Sequence, residues 1–314
     1  VSSRTIVLLG PQRLHPNLAA AVDACCAGGQ IAAVTAGWQE REEEDQELRD
    51  HLGRKVVNLM LHRRGEEVFA EDRELFLAHR ARQDELRELQ RLYRLRLDYA
   101  LAPARRLLRR RRGTPRLLIS ARASAIEAVR SLDREHLSVI RAVHRDYQRR
   151  VRPTRRPAVA RHRRELQKIL ADCSAVAIAG GHVAVLLNRL RLFGLGRLIA
   201  GRTIFAWSAG AMALSERVVL FHDSPPQGAG NPEVLEAGLG LVRGLVLLPH
   251  ARRRLRLGDA PRVALFARRF APAVCLTLDE GAHLDGDGRR WQASDSVEQL
   301  VAGGGVEPFP GCGA

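Results

Sequence analysis

Thr203-Ile204-Phe205-Ala206-Trp207-Ser208-Ala209-Gly210-Ala211-Met212-Ala213 is an apolar run broken by one serine among small residues, after which the spacing becomes helix-compatible. It reads as a strand, a sharp turn and a helix. At such a turn the serine is held in a strained backbone conformation, and small neighbours let the chain pass while the hydroxyl projects. The N–H groups that open a helix have no partner within it, so Ala209 N–H is available to an oxyanion forming beside Ser208. A small-residue corner between strand and helix gives the same local pattern without chemistry, and the rest of the chain has to decide between the two.

Upstream of this stretch, the strand-like residues 175–179 end at Gly180-Gly181-His182, and a helix over 183–192 follows. Paired glycines at a strand end let a backbone N–H face a bound oxyanion, so Gly181 is either a second oxyanion donor or part of a tight turn. His182 either serves the site or only caps the helix it begins. Further toward the N-terminus, strands over 5–10, 31–36 and 55–61 alternate with helices over 18–26 and 42–52. This rhythm predicts an α/β fold with a parallel sheet covered on both faces and ligands gathered at the C-terminal strand ends.

Between residues 66 and 164 the alternation stops. Phe69, Phe76, Leu86, Leu89, Leu92, Tyr93 and Tyr99 recur at roughly helical spacing among charges, and Leu132, Leu137, Ile140, Val143 and Tyr147 do so further on. Two long amphipathic helices follow, packed on each other or on a partner subunit, so a homodimer is one arrangement the pattern allows. Leu117-Leu118-Ile119 is a lone strand-like signal there.

The segment also holds two arginine runs, over 105–112 and 149–156, in a chain of 314 residues with a formal charge of +16. Clustered arginines favour nucleic acid or another polyanion through counterion release. No aromatic stacking platform, RNA-binding signature or zinc-finger spacing accompanies them, and Ala, Arg and Leu are abundant throughout. Solvated helix ends and a linker are therefore preferred over a nucleic-acid clamp. Hydrophobic content of 46% with 27% charged residues is that of a globular protein of one large or two modest domains. No apolar run spans a bilayer and the first residues lack a signal-like core, so a cytoplasmic location without a membrane partner is expected. Cys25, Cys26, Cys173, Cys275 and Cys312 are odd in number and lack metal-ligand spacing, which argues against a disulfide framework and a metal site.

A serine hydroxyl needs a base to become a nucleophile. Among the 11 histidines, His250 ends the apolar run 244–249 and so falls at a strand terminus, with Pro249 favouring an extended approach. A third group should orient that imidazole. The strand-like residues 274–278 lead to Asp279 and Glu280; adjacent side chains of an extended segment point to opposite faces, and local sequence leaves both acids open. Asp223, in Phe221-His222-Asp223-Ser224-Pro225-Pro226, lies in a loop where a carboxylate could meet a substrate amine. Arg252, Arg253 and Arg254 either recognise a substrate carboxylate or face solvent.

Gly180-Gly181-His182, Ala206-Trp207-Ser208-Ala209-Gly210-Ala211, Asp223 with Pro225, Leu248-Pro249-His250 and Asp279-Glu280-Gly281 together follow the order and approximate spacing of motifs in the serine peptidase family of dipeptidase E and cyanophycinase. The chain resembles that family well over roughly residues 165–288 and weakly over 4–61. The resemblance implies a flavodoxin-like sandwich of the class I glutamine amidotransferase type, with Ser208 as nucleophile, His250 as base and Glu280 as orienting acid. It also implies an oxyanion hole from Gly181 and Ala209 and no metal or organic cofactor. Serine where the amidotransferases use cysteine points to hydrolysis of a small peptide or isopeptide. Related enzymes act on aspartyl substrates, including α-aspartyl dipeptides and β-aspartyl-arginine polymer. His182 and Asp223 are the substrate-binding candidates, although His182 departs from the Asn or Asp common after the paired glycines. On this reading residues 1–65 and 165–314 are two parts of one α/β hydrolytic domain, the second carrying the catalytic motifs, and 66–164 is an arginine-rich helical insertion. The alternative is a catalytically inactive hydrolase-like domain that binds a polyanion or partner through its basic helices.

Overall fold

Four buried residues, Ile6–Leu9, form the first strand, β1, of the structure, a computed structural model that describes residues 5–26, 28–223 and 230–311. There follow α1 (Leu18–Cys25), β2 (Gln30–Val34), α2 (Gln46–Leu52), β3 (Val56–Asn58) and α3 (Leu61–Glu71). Two helices of 37 residues each, α4 (Arg73–Arg109) and α5 (Pro115–Val151), lead to α6 (Pro157–Ala171). The alternation resumes with β4 (Cys173–Ile178), α7 (Val183–Leu192), α8 (Leu195–Leu198), β5 (Thr203–Trp207) and α9 (Ala209–Leu214). Next come β6 (Val218–Leu220), β7 (Glu233–Glu236), β8 (Leu245–Pro249), α10 (Ala251–Arg254) and α11 (Ala260–Phe270). The chain closes with β9 (Val274–Leu278), β10 (His283–Gly286), β11 (Trp291–Ala293), β12 (Glu298–Leu300) and β13 (Val306–Pro308).

The main sheet has seven strands in the order β11-β10-β1-β5-β4-β2-β3; the five from β1 to β3 are parallel, and β10 and β11 join antiparallel. Its central strands are apolar apart from Gln30, Ser174 and Thr203 near their starts, because both faces are covered. Neighbouring residues divide between the two sides: Ile6, Leu8, Val176 and Ile204 enter the larger core, and Val7, Leu9, Ala175 and Phe205 the smaller. A mixed α/β fold around a parallel-dominated sheet is thus present. The motif strands do not all share it. β8 and β9, which run into His250 and Asp279-Glu280, pair in parallel within a separate sheet ordered β13-β12-β9-β8, with α11 packed on β9.

Two early boundaries differ from the sequence pattern. The strand expected over 55–61 stops at Asn58, whose amide donates to Thr35 Oγ1 (2.8 Å) and the Glu42 carbonyl (2.9 Å) while its Oδ1 accepts from Met60 N–H. Met60 then turns left-handed (φ 51°) and α3 begins. Glu42 stays outside the helix expected from it: its carboxylate accepts the N–H groups of His62 and Arg63 (2.9 and 3.0 Å), satisfying orphan donors at the start of α3, and α2 begins only at Gln46. Leu117-Leu118-Ile119 is helical, inside α5.

α4 and α5 pack on each other and are fixed to the rest of the protein by a buried polar cluster. Tyr93 stacks on His136 (3.9 Å between centroids) and donates to Asp133 (2.7 Å), and Arg269 of α11 holds both oxygens of Asp133 (2.6 and 2.8 Å). Val234 N–H donates to Tyr93 Oη (3.2 Å), which ties β7 to the same cluster. Several arginines of the basic runs are engaged within the chain: Arg105 with Asn231, Arg109 with Asp259 (2.9 Å) and Arg156 with Asp72 (2.6 Å). Among the described residues no helix is long and apolar enough to cross a membrane, and Cys25, Cys26, Cys173 and Cys275 are free thiols. Residues 1–4, Pro225 and Cys312 lie outside the described residues.

Candidate active site

Ser208 occupies the corner between β5 and α9 with φ 51° and ψ −123°, a conformation that costs a non-glycine residue energy. It stands at the N-cap of α9, where serine usually accepts a hydrogen bond from the first turn, yet it makes no such bond. The hydroxyl is left to a cavity of about 1260 Å³, whose wall includes Ser208.

The end of β4 lies directly against this corner. The parallel register pairs Ile178 with Ala206, so the two chains emerge side by side as Gly180-Gly181 and Ser208-Ala209. A Cβ on Gly180 would stand 2.9 Å from Ser208 Cβ and 3.4 Å from Ala209 N. Gly181 (φ 107°) abuts Gly37, where a Cβ would come within 3.0 Å of Gly37 Cα, and His182 N–H donates to Gly37 O (2.7 Å). Among the described residues the N–H groups of Gly181 and Ala209 donate to no backbone or side-chain acceptor. Gly210 rests on the Ile178 carbonyl, which explains the need for a small residue after the serine.

His250 follows β8 in a left-handed conformation (φ 59°), and its N–H donates to the Leu278 carbonyl (3.1 Å). The Pro249–Leu278 register places it beside Asp279-Glu280. It lines the same cavity as Ser208. Among the described residues no hydrogen bond joins Ser208 Oγ to His250, or His250 to Glu280. Burial pushes the His250 pKa below the ordinary histidine value, and Arg254 and Arg253 push it further; the Glu280 carboxylate acts in the opposite direction. Asp279 is committed elsewhere, accepting Arg252 N–H (3.1 and 3.3 Å), and burial raises its pKa. Of the two acids, Glu280 is therefore the one whose charge favours protonated His250; its carboxylate also lies 3.9 Å from His15 Nε2.

The two substrate-binding candidates are not among the residues that line the cavity, although their neighbours Gly181, Val183 and His222 are. His182 caps α7, accepting Val185 N–H at Nδ1 (3.4 Å). Asp223 is buried, with Arg262 bridging both its oxygens (Nε at 2.6 Å) and Arg256 N–H donating to it (2.7 Å). A carboxylate held in this bidentate pair would have to abandon it to meet an amine.

Other residues complete the cavity. Trp38, Trp207 and Gln12 form part of it, as do Asn231, Glu233 and Arg254. Arg254 is half-buried, its pKa lowered by burial and by Arg253, and its guanidinium has no partner among the described residues. Glu233 is held by Gln90 (3.1 Å) and Arg94 (2.7 Å), and Asn231 by Arg105 and Asp98, so one wall is hung on α4. No local pattern around 230–233 announces this, because the supporting groups are far away in sequence. Among the described residues no group of three His, Cys, Asp or Glu side chains is arranged to hold a metal ion.

A family model described as peptidase family S51 matches residues 132–293, just over half of the chain. The match begins within α5, ends at β11 and contains Ser208, His250 and Glu280. No curated protein matches the chain.

Proposed function

Since the chain belongs to peptidase family S51, the family of dipeptidase E and cyanophycinase, we propose that it is a serine hydrolase that cleaves a small peptide or isopeptide through an acyl-enzyme. The observation that carries this reading is Ser208 itself: a strained residue whose hydroxyl caps nothing and opens on a cavity shared with His250.

In the proposed reaction Ser208 Oγ attacks the substrate carbonyl while His250 takes its proton. The oxygen that becomes negative receives the unspent N–H groups of Gly181 and Ala209. His250 then gives its proton to the leaving amine as the C–N bond breaks, and a water activated by the same imidazole releases the acyl group. Glu280 orients His250 and favours its protonated form. Catalytic hydrogen bonds are often long in a free enzyme and tighten with substrate, in keeping with the absence of both a Ser208–His250 and a His250–Glu280 bond.

The half-buried Arg254, whose guanidinium has no partner among the described residues, favours a substrate with a carboxylate near the scissile bond, as an aspartyl residue supplies. Asp223 and His182 have no direct part in this scheme. The test is covalent labelling by a serine-reactive fluorophosphonate together with hydrolysis of α-aspartyl dipeptides and β-aspartyl-arginine. Wild-type protein should label and turn over, and Ser208→Ala should do neither; labelling that survives Ser208→Ala would refute the assignment.

A further inference from the structure

α4 has two opposite faces. Tyr93, Leu97, Leu101 and Ala104 are buried, whereas Leu92, Leu95 and Tyr99 on the other side are 52%, 60% and 76% exposed. These three residues recur at alternating spacings of three and four. The same alternation reaches Glu88 and then Glu85 toward the N-terminus, and Ala102, Arg106 and Arg109 toward the C-terminus, all exposed. This is the spacing of a coiled-coil seam, whose exposed positions remain in line along the helix.

The seam is acidic at one end, apolar in the middle and basic at the other. A helix of that kind complements itself when a second copy runs antiparallel, because a two-fold axis brings the same patch together from both subunits. With the axis at the level of Leu97, Leu95 meets Tyr99 of the second copy, Leu92 meets Ala102, and Glu88 meets Arg106, each pair equidistant from Leu97. Glu85 and Arg109 oppose each other by the same rule, although Arg109 already reaches Asp259 of its own chain. Glu88 has only an exposed contact with Arg91 (3.1 Å), and the Arg106 guanidinium has no hydrogen-bond or ion-pair partner among the described residues. An unrelated partner would require no such symmetry.

We propose that the outer face of α4 is a homodimer interface in which two copies pack antiparallel about Leu97. The dimer braces the helix that holds Asn231 and Glu233 in the cavity wall.

Sedimentation of the full chain at micromolar concentration tests it, with circular dichroism as a check on folding. Wild-type protein should be a dimer, and Leu95→Arg a monomer of unchanged helix content. Glu88→Arg should weaken association on the order of tenfold, since the pair occurs twice in the dimer, and Glu88→Arg/Arg106→Glu should recover it. Both charge changes lie on exposed positions, so the test survives if Leu95→Arg misfolds. A monomeric wild type, a dimer indifferent to Leu95→Arg, or a double variant as weak as Glu88→Arg would overturn the proposal.

Discussion

Gly180 and Ser208 approach so closely that one added methyl on the glycine would stand 2.9 Å from the serine Cβ. Neither side can yield easily, since Gly181 is pressed on Gly37 and Ser208 is already in a strained conformation. Gly180→Ala should therefore displace the hydroxyl and slow turnover and fluorophosphonate labelling by about 10²-fold, the scale expected for an ångström-sized misplacement. Stopped-time labelling of the two proteins checks it, and equal rates would separate this contact from the chemistry.

His250 must be neutral to accept a proton. Burial, Arg254 and Arg253 hold its pKa below the ordinary value, so the acid limb of kcat/KM should fall below about pH 6.5. Removing a neighbouring positive charge raises that pKa, and removing the negative charge of Glu280 lowers it. Arg254→Gln should move the limb to higher pH and Glu280→Gln to lower pH. Profiles shifted in the same direction would contradict the assigned surroundings of the imidazole.

Asp133 and Arg269 form a buried pair that joins α5 to α11. Asp133→Ala would leave the guanidinium buried without its counter-charge and should cost about 3–5 kcal/mol in a urea unfolding titration. Replacing both partners by apolar residues of similar volume should cost less, because the unpaired charge is removed along with the pair.

Glu233 is a wall residue positioned by Gln90 and Arg94 of α4. Arg94 is partly exposed, so its contribution should be modest. Arg94→Ala should raise KM about two- to fivefold while kcat changes little, as measured by steady-state hydrolysis of whichever α-aspartyl dipeptide or β-aspartyl-arginine the wild type turns over.

The features legible in the sequence are those set by neighbours along the chain. The run from Thr203 to Ala213 shows its strand, corner and helix because apolar spacing and small residues act over a few positions, and α7 has the expected bounds of 183–192 for the same reason. The two long helices follow from their periodicity. What was not legible depends on contacts across the chain. The separate sheet of β8 and β9 is decided by strand pairing, not by their apolar composition. The end of β3 is decided by Asn58 meeting Thr35 and Glu42, and the engagement of Asp223 by Arg262 on a distant helix. The loop containing Asn231 carries no local sign of its place in the cavity because Arg105 and Asp98 bring it there.

Hanging a cavity wall on α4 gives the pocket a lever. The helix has 37 residues, roughly 55 Å of rise at α-helical pitch, and it grips Asn231 and Glu233 while Ser208 belongs to the strand framework. A substitution that re-seats α4 would alter the gap between that wall and the serine without touching the corner that aims the hydroxyl. Substrate range can thus drift during evolution through substitutions remote from the nucleophile, while the bond-breaking machinery stays unchanged.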